Sequence, residues 1–242
     1  LYRSSLCRAW VDGDQVAFQS WNDTPWALQG LATWAPNDLT WSADGGHEMS
    51  MNAFAHGVVA KLQDETAFMR DAMAAGETVQ KRRQGIFAYT CGGTHLLQGA
   101  AYAVARGFGV PDDKRALGAE VDVMFWRLGV ELAIYDQALQ QAPEHKTILL
   151  EQRMKFLGHF VETLHKLAAE GIYSPDDAQR AKLGLAMNDL IATVEALEAD
   201  QTFDKLDVLR EKNEQTYLDF VGDAAHAIRG IDLATGVGSV SL

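Results

Sequence analysis

The stretch DKRALGAEVDVMFWRLGVELAIYDQALQQ, residues 113–141, decides the fold of this 242-residue chain. Its apolar residues recur at intervals of three or four positions along the whole stretch. The recurring residues are Leu117, Val121, Met124, Leu128, Leu132, Tyr135 and Leu139. This spacing matches the 3.6-residue turn of an α-helix, so the pattern predicts one long amphipathic helix.

The sequence beyond this stretch repeats the same pattern in three further segments. They cover residues 144–170, 175–199 and 203–229, and each carries one apolar stripe. Because the connections are short, neighbouring helices are expected to run antiparallel. We therefore predict an up-down four-helix bundle over 112–242. In the last segment, Arg210 and its neighbours interrupt the stripe, which indicates a buried polar layer or a frayed helix start.

The first half of the chain also favours helices. Residues 47–75 predict one long helix, and the nearly uncharged residues 94–107 predict a buried one. The strand signals are weak, and the best of them covers only 14–18. The predicted class is all-α: an N-terminal helical-hairpin region with a Trp-rich arm, packed on the C-terminal bundle. The predicted domains are 1–44 for the Trp-rich irregular arm, 45–111 for the helical region with Gly-Gly-His loops, and 112–242 for the acidic bundle.

Charge and composition exclude several classes of protein. The net charge of −12 argues against nucleic acid as a partner, and a small molecule or a partner protein is expected instead. No apolar run approaches the roughly 20 residues that a membrane span needs, so no transmembrane segment is predicted. Phosphate-binding loops, dinucleotide fingerprints and nucleophile elbows are absent from the sequence. The chain begins with Leu1 rather than methionine, which slightly favours an extracytoplasmic location.

Two Gly-Gly loops carry the residues most suited to chemistry. One reads Asp44-Gly-Gly-His47-Glu48 and the other reads Cys91-Gly-Gly-Thr-His95, and each precedes a predicted helix. Exposed N–H groups at a helix start favour an anion or a thiolate, so a lowered pKa is expected for Cys91. His95, four residues further on, would then act as a base or as a second metal ligand. The candidate catalytic residues are Asp44, His47, Glu48, Cys91 and His95.

Aromatic residues near these loops suggest a ligand pocket. Five of the six tryptophans lie in the first 41 residues, and tryptophan often lines ligand or partner surfaces. The candidate ligand-binding residues are Trp26, Trp34, Trp41, His56, Tyr89 and Tyr102. The chain has only two cysteines, Cys7 and Cys91, so a disulfide scaffold is excluded, although one bridge between them remains compatible with the sequence.

Three hypotheses about function follow. The first is a soluble helical ligand-binding domain with a His-, Cys- and Trp-lined pocket in the N-terminal half. The second is an enzyme that uses Cys91 and His95 as a nucleophile–base pair or as a metal site. The third is a scaffold or accessory subunit that docks on a partner through the Trp-rich arm. The sequence assigns no particular cofactor.

Two motifs of the second half have the spacing found in di-iron helical bundles. Glu162-x-x-His165 has the required local spacing, and Asp223-x-x-His226 repeats it. On a helical wheel, however, Glu162 lies roughly 140–150° from the apolar stripe of its segment. His159 and His226 also fall away from the stripes of their segments. The sequence therefore favours solvent-exposed positions for these side chains over a di-iron site.

Overall fold

The computed structural model describes residues 21, 23–79 and 91–236, and this part of the chain is mostly helical. Eight α-helices and two short strands lie within it. The helices are α1 Thr24–Trp34, α2 Met51–Ala75, α3 Thr94–Ala105, α4 Asp113–Gln141, α5 Lys146–Ala169, α6 Asp177–Ala199, α7 Leu206–Lys212 and α8 Glu214–Thr235. None of the helices described is long and apolar enough to span a membrane.

A short hairpin precedes helix α2. Strand β1, Thr40–Ser42, pairs antiparallel with β2, Glu48–Ser50, and a single 3-10 turn, Asp44–Gly46, joins them. The sequence predicted one helix from residue 47, but α2 begins at Met51. The helix begins there because the Ser50 hydroxyl accepts the N–H of Ala53 at 3.1 Å, while residues 48–50 pair with β1. The strand predicted at 14–18 lies outside the described residues.

The four segments predicted in the second half are helical, with one break. Residues 113–141 form α4 with the predicted bounds, and α5 and α6 start two residues later than predicted. The fourth segment is divided at Asn213, whose backbone is extended at φ −157° and ψ 93°. Its side chain accepts the N–H of Thr216 at 3.1 Å, so Asn213 caps the start of α8. The polar interruption that begins at Arg210 is therefore a junction between two helices.

Two compact units divide the chain. Unit 1 contains the described residues up to Val123 together with Leu167–Ser174, and unit 2 contains Met124–Lys166 and the described residues from Pro175 onward. Each unit buries its own apolar side chains. Those of unit 1 include Leu28, Phe54, Val58, Leu62, Leu96, Ala100, Leu117 and Val121, and those of unit 2 include Met154, Leu157, Phe160, Leu164, Leu190, Leu197 and Phe220.

Each unit contains one very close contact between two helices. In unit 1, α3 approaches α1 at Gly99, where an added Cβ would lie 2.6 Å from the Cα of Pro25. In unit 2, α5 approaches α8 at Gly158, where an added Cβ would lie 2.9 Å from the backbone nitrogen of Ala227. Real Cβ atoms do not tolerate such distances, so both contacts require glycine. The first contact holds the helices that carry the candidate site.

Candidate functional site

The turn before helix α3 has an unusual backbone. Cys91, Gly92 and Gly93 have φ angles of 48°, 71° and 91°, so three successive residues occupy the left-handed region. Glycine adopts this region freely, whereas a cysteine there costs free energy. The Thr94 hydroxyl donates a hydrogen bond to the carbonyl oxygen of Cys91 at 2.7 Å, which holds the turn against the first residue of α3. The turn thus places the side chain of Cys91 beside the helix start.

The sulfur of Cys91 and a ring nitrogen of His95 lie within 4.8 Å of each other. Both side chains are half-buried. Sulfur and imidazole nitrogen are ligands that Zn²⁺ and several other transition metals accept. The pair is therefore a His/Cys arrangement able to contribute to a metal site.

The ring of Trp26, on helix α1, packs against His95. The two ring centroids are 5.4 Å apart, and the planes are inclined by 57°. Because α1 and α3 meet closely at Gly99, the Trp26 indole reaches the first turn of α3. This contact limits the orientations of the imidazole. The structure thus brings together Cys91, His95 and Trp26 from the residues that the sequence singled out.

Other predicted site residues lie elsewhere in unit 1. His47 and Glu48 are exposed on the hairpin, and the Trp41 ring packs edge-on against Phe54, with centroids 6.1 Å apart. Trp34 is 86% exposed at the end of α1. Asp44 belongs to the 3-10 turn between the strands.

Tyr102, on helix α3, makes local contacts. Its hydroxyl lies 2.9 Å from the hydroxyl of Thr33, and the Arg106 guanidinium lies over its ring, 3.2 Å from the centroid. Tyr102 lies on α3, the helix that begins beside Cys91 and carries His95, and Thr33 lies on α1, which carries Trp26. Tyr89 lies outside the described residues.

His56 belongs to a different site, which the sequence did not indicate. Its Nδ1 lies 2.8 Å from Oδ1 of Asp113, the first residue of α4. The Asp113 side chain is only 3% exposed, whereas that of His56 is 41% exposed. A buried carboxylate facing Nδ1 favours a proton on that nitrogen, because the carboxylate can only accept. Nε2 is then the acceptor of the neutral ring.

The His56–Asp113 pair lines a groove of 270 Å³ between helices α2 and α4. The wall of the groove is apolar and consists of Val59, Ala60, Ala116 and Ala119. Gln63 adds a polar group, and its amide nitrogen donates to the carbonyl oxygen of Ala116 at 3.0 Å. The groove thus combines an apolar wall with a polar end.

The backbone around Asp113 fixes its carboxylate. The N–H of Val110 donates to Oδ2 at 2.8 Å, and the N–H of Gly109 donates to the side chain of Asn52 at 3.1 Å. Gly109 has φ 95°, and a Cβ added there would overlap Oδ2 of Asp113. A glycine is therefore required at this position for two reasons, the backbone angle and the space. Sequence reasoning missed Asp113 because 57 positions separate it from His56.

Unit 2 contains a buried group of charged and imidazole side chains between α5 and α8. The sequence placed Glu162, His159 and His226 in solvent, and for the first two this is wrong: Glu162 is 3% and His159 is 1% exposed. Helix α5 is buried on more than one side, so a wheel drawn about one stripe misjudged its second face. The ring centroids of His159 and His226 are 4.0 Å apart.

Glu162 has two basic partners. Its carboxylate lies 2.5 Å from Nδ1 of His226 and 2.5 Å from the Lys166 ammonium. Burial acts to raise the pKa of Glu162, but the bonds to His226 and Lys166 outweigh it and lower the pKa to about 2. Both carboxylate oxygens of Glu162 are thus engaged by protein partners.

Glu151 lies further along the same face of α5, where it meets Asp223 of α8. Burial, followed by the hydrogen bond to Asp223, raises the pKa of Glu151 to about 8. Lys155 lies 3.2 Å from the Asp223 carboxylate. Near neutral pH the Glu151 carboxyl therefore keeps its proton, and in this form it can donate a hydrogen bond to Asp223.

No family model, curated protein or solved structure matches this chain. The described residues define a mostly helical protein.

Proposed function

We propose that unit 1 is a ligand-binding domain and that Cys91 and His95 bind a transition metal ion of the Zn²⁺ type. The observation that carries this proposal is the separation of at most 4.8 Å between the sulfur and a ring nitrogen. A zinc ion holds sulfur at about 2.3 Å and nitrogen at about 2.0–2.1 Å, so two ligands of one ion lie about 3–4 Å apart. Small rotations of the two side chains reach that separation.

The surroundings of the pair support a ligand role. A metal ligand needs an imidazole of fixed orientation, and the Trp26 ring restricts His95. The hydrogen bond from Thr94 to the Cys91 carbonyl holds the turn on which the sulfur is carried. Cys91 and His95 would supply two of the four ligands that Zn²⁺ takes.

Cobalt(II) titration tests the proposal. In a Cys7→Ser variant, Cys91 is the only cysteine of the chain, so a thiolate-to-cobalt charge-transfer band must come from it. We expect this variant to show the band at one ion per chain and to lose it on addition of Zn²⁺. His95→Gln in the same background should weaken metal affinity by about tenfold or more, because one ligand is removed.

Two further variants make the titration specific. His145→Gln removes an imidazole whose side chain is 67% exposed, and it should leave affinity unchanged. Adding Cys91→Ser to the Cys7→Ser background should abolish the band. A missing band in Cys7→Ser, or equal affinity in His95→Gln, would overturn the proposal.

We also infer that the helices of unit 2 form an up-down four-helix bundle. Ring contacts join α4 to α5, where the centroids of Phe125 and Phe160 are 5.7 Å apart. An ion pair of 2.8 Å between Lys146 and Asp200 joins α5 to the end of α6. The Lys155–Asp223 ion pair joins α5 to α8. These contacts support the arrangement expected for long helices with short connections.

A further inference from the structure

We infer that the groove between α2 and α4 is a second binding site, for a small aliphatic molecule that carries a hydroxyl or protonated amine. This site is separate from the Cys91–His95 pair and shares no residue with it. The groove holds 270 Å³, slightly less than the roughly 300–1,000 Å³ typical of protein ligand pockets, so only a small ligand would fit.

The polar end of the groove is built to accept a hydrogen bond. Asp113 is buried, and its carboxylate accepts hydrogen bonds from the N–H of Val110 and from Nδ1 of His56. With Nδ1 engaged, Nε2 is the ring nitrogen available to a ligand, and in the neutral ring it is an acceptor. When the ring is neutral, a ligand with an O–H or N–H donor satisfies this nitrogen, whereas a carboxylate does not.

The charges around the groove favour the same class of ligand. Asp112 and Arg115, at the rim, lie 3.2 Å apart and offset each other, and both side chains are 79% exposed. The Asp113 carboxylate lies directly behind His56, so the polar end favours a cation or a neutral donor over an anion. The apolar wall formed by Val59, Ala60, Ala116 and Ala119 suits a short hydrocarbon body.

Contacts within the protein hold these groups in place. Asn52 and His56 lie one helical turn apart on α2. The side-chain oxygen of Asn52 accepts a hydrogen bond from the N–H of Gly109 at 3.1 Å. Gly109 leaves the space that the Asp113 carboxylate occupies. A site held in this way loses little conformational entropy when a ligand binds.

Three probes with the same hydrocarbon body test the inference. Cyclohexanol, cyclohexylamine and cyclohexanecarboxylate differ only in the polar group, and binding is followed by two-dimensional NMR. We expect the alcohol and the amine to bind with dissociation constants of about 1 mM, and the carboxylate to bind about tenfold more weakly or not at all. The shifted signals should centre on His56, Val59 and Ala116.

Three variants locate the binding. His56→Phe keeps the ring and removes the acceptor, so it should weaken alcohol and amine binding by about five- to tenfold. Ala116→Leu fills the groove and should abolish binding of both, while circular dichroism confirms that the variant is folded. His145→Phe is the matched control at an exposed site, and it should have no effect.

Several results would overturn the inference. One is the absence of shifts with every probe up to about 10 mM, and another is carboxylate binding as strong as that of the alcohol. Unchanged binding in Ala116→Leu would place the probe elsewhere. Equal loss of all binding in the His145→Phe control would show that the effect of His56→Phe is not specific.

Discussion

Gly99→Ala is expected to destabilise unit 1 by about 1–3 kcal/mol, although alanine is the better helix former. The added Cβ would lie 2.6 Å from the Cα and 2.9 Å from the carbonyl oxygen of Pro25. Both neighbours are backbone atoms of a rigid residue, so helices α1 and α3 must move apart. Urea unfolding measures the loss as a fall in the midpoint at constant slope.

The matched control for this substitution is Gly118→Ala. Gly118 also lies inside a helix of unit 1, but an added Cβ there meets no atom within 4 Å. Helix propensity then acts alone, and this variant should gain about 0.5–1 kcal/mol. Equal effects of the two substitutions would contradict the close contact between α1 and α3.

Gly99→Ala should also affect the candidate metal site. Trp26 and His95 sit on the two helices that Gly99 brings together, so their 5.4 Å ring contact depends on it. We expect Gly99→Ala to weaken cobalt binding, whereas Gly118→Ala should leave it unchanged.

Glu151→Gln is expected to flatten the dependence of stability on pH between about 4.5 and 8. The pKa of Glu151 is raised to about 8 in the folded protein, above its value of 4.5 in an unfolded chain. As the pH rises between these values, the unfolded chain releases this proton while the folded protein retains it. Stability therefore falls over this range, by about 2–4 kcal/mol, and levels off above pH 8.

The substitution removes this loss because glutamine is neutral at every pH and its amide can still donate to Asp223. Above pH 8, Glu151→Gln should be more stable than the wild type by a similar amount, measured by urea unfolding at several pH values. Glu198→Gln, at an exposed position of α6, is the control and should keep the wild-type slope. A wild-type stability that does not fall between pH 5 and pH 8 would refute the raised pKa of Glu151.

Glu162 has the opposite effect from Glu151, because it makes stability fall as the pH is lowered. Its pKa is lowered to about 2 by His226 and Lys166, so its contribution is present above pH 4.5 and is lost as the pH falls toward 2. Glu151→Gln leaves Glu162 unchanged. The variant and the wild type should therefore lose stability together on the acid side.

The helices of the second half were predictable because each is long and has a regular apolar stripe. Residues 113–141 agree at both ends with α4. The hairpin was not predicted, because strands of three residues are too short to show an alternating pattern. The break at Asn213 was noticed as a polar interruption, but only the cap to Thr216 identified its cause.

Of the candidate sites, one could be predicted from local spacing and the others could not. The sequence singled out Cys91 and His95 because they flank one turn, four positions apart, and local spacing is visible in a sequence. The His56–Asp113 pair was not foreseen, since its members lie on different helices 57 positions apart. The burial of Glu162 was misjudged because helix α5 is covered on a second face as well.

By itself, then, the sequence determined that the chain is mostly helical, where its long helices lie, and which loop carries the Cys91–His95 pair. These properties depend on local periodicity and on backbone preferences within a few residues. Three features exist only in the tertiary structure: the 270 Å³ groove, the buried carboxyls of unit 2, and the close glycine contacts between helices. These depend on which helix faces meet, and that is fixed by packing between residues far apart in the chain.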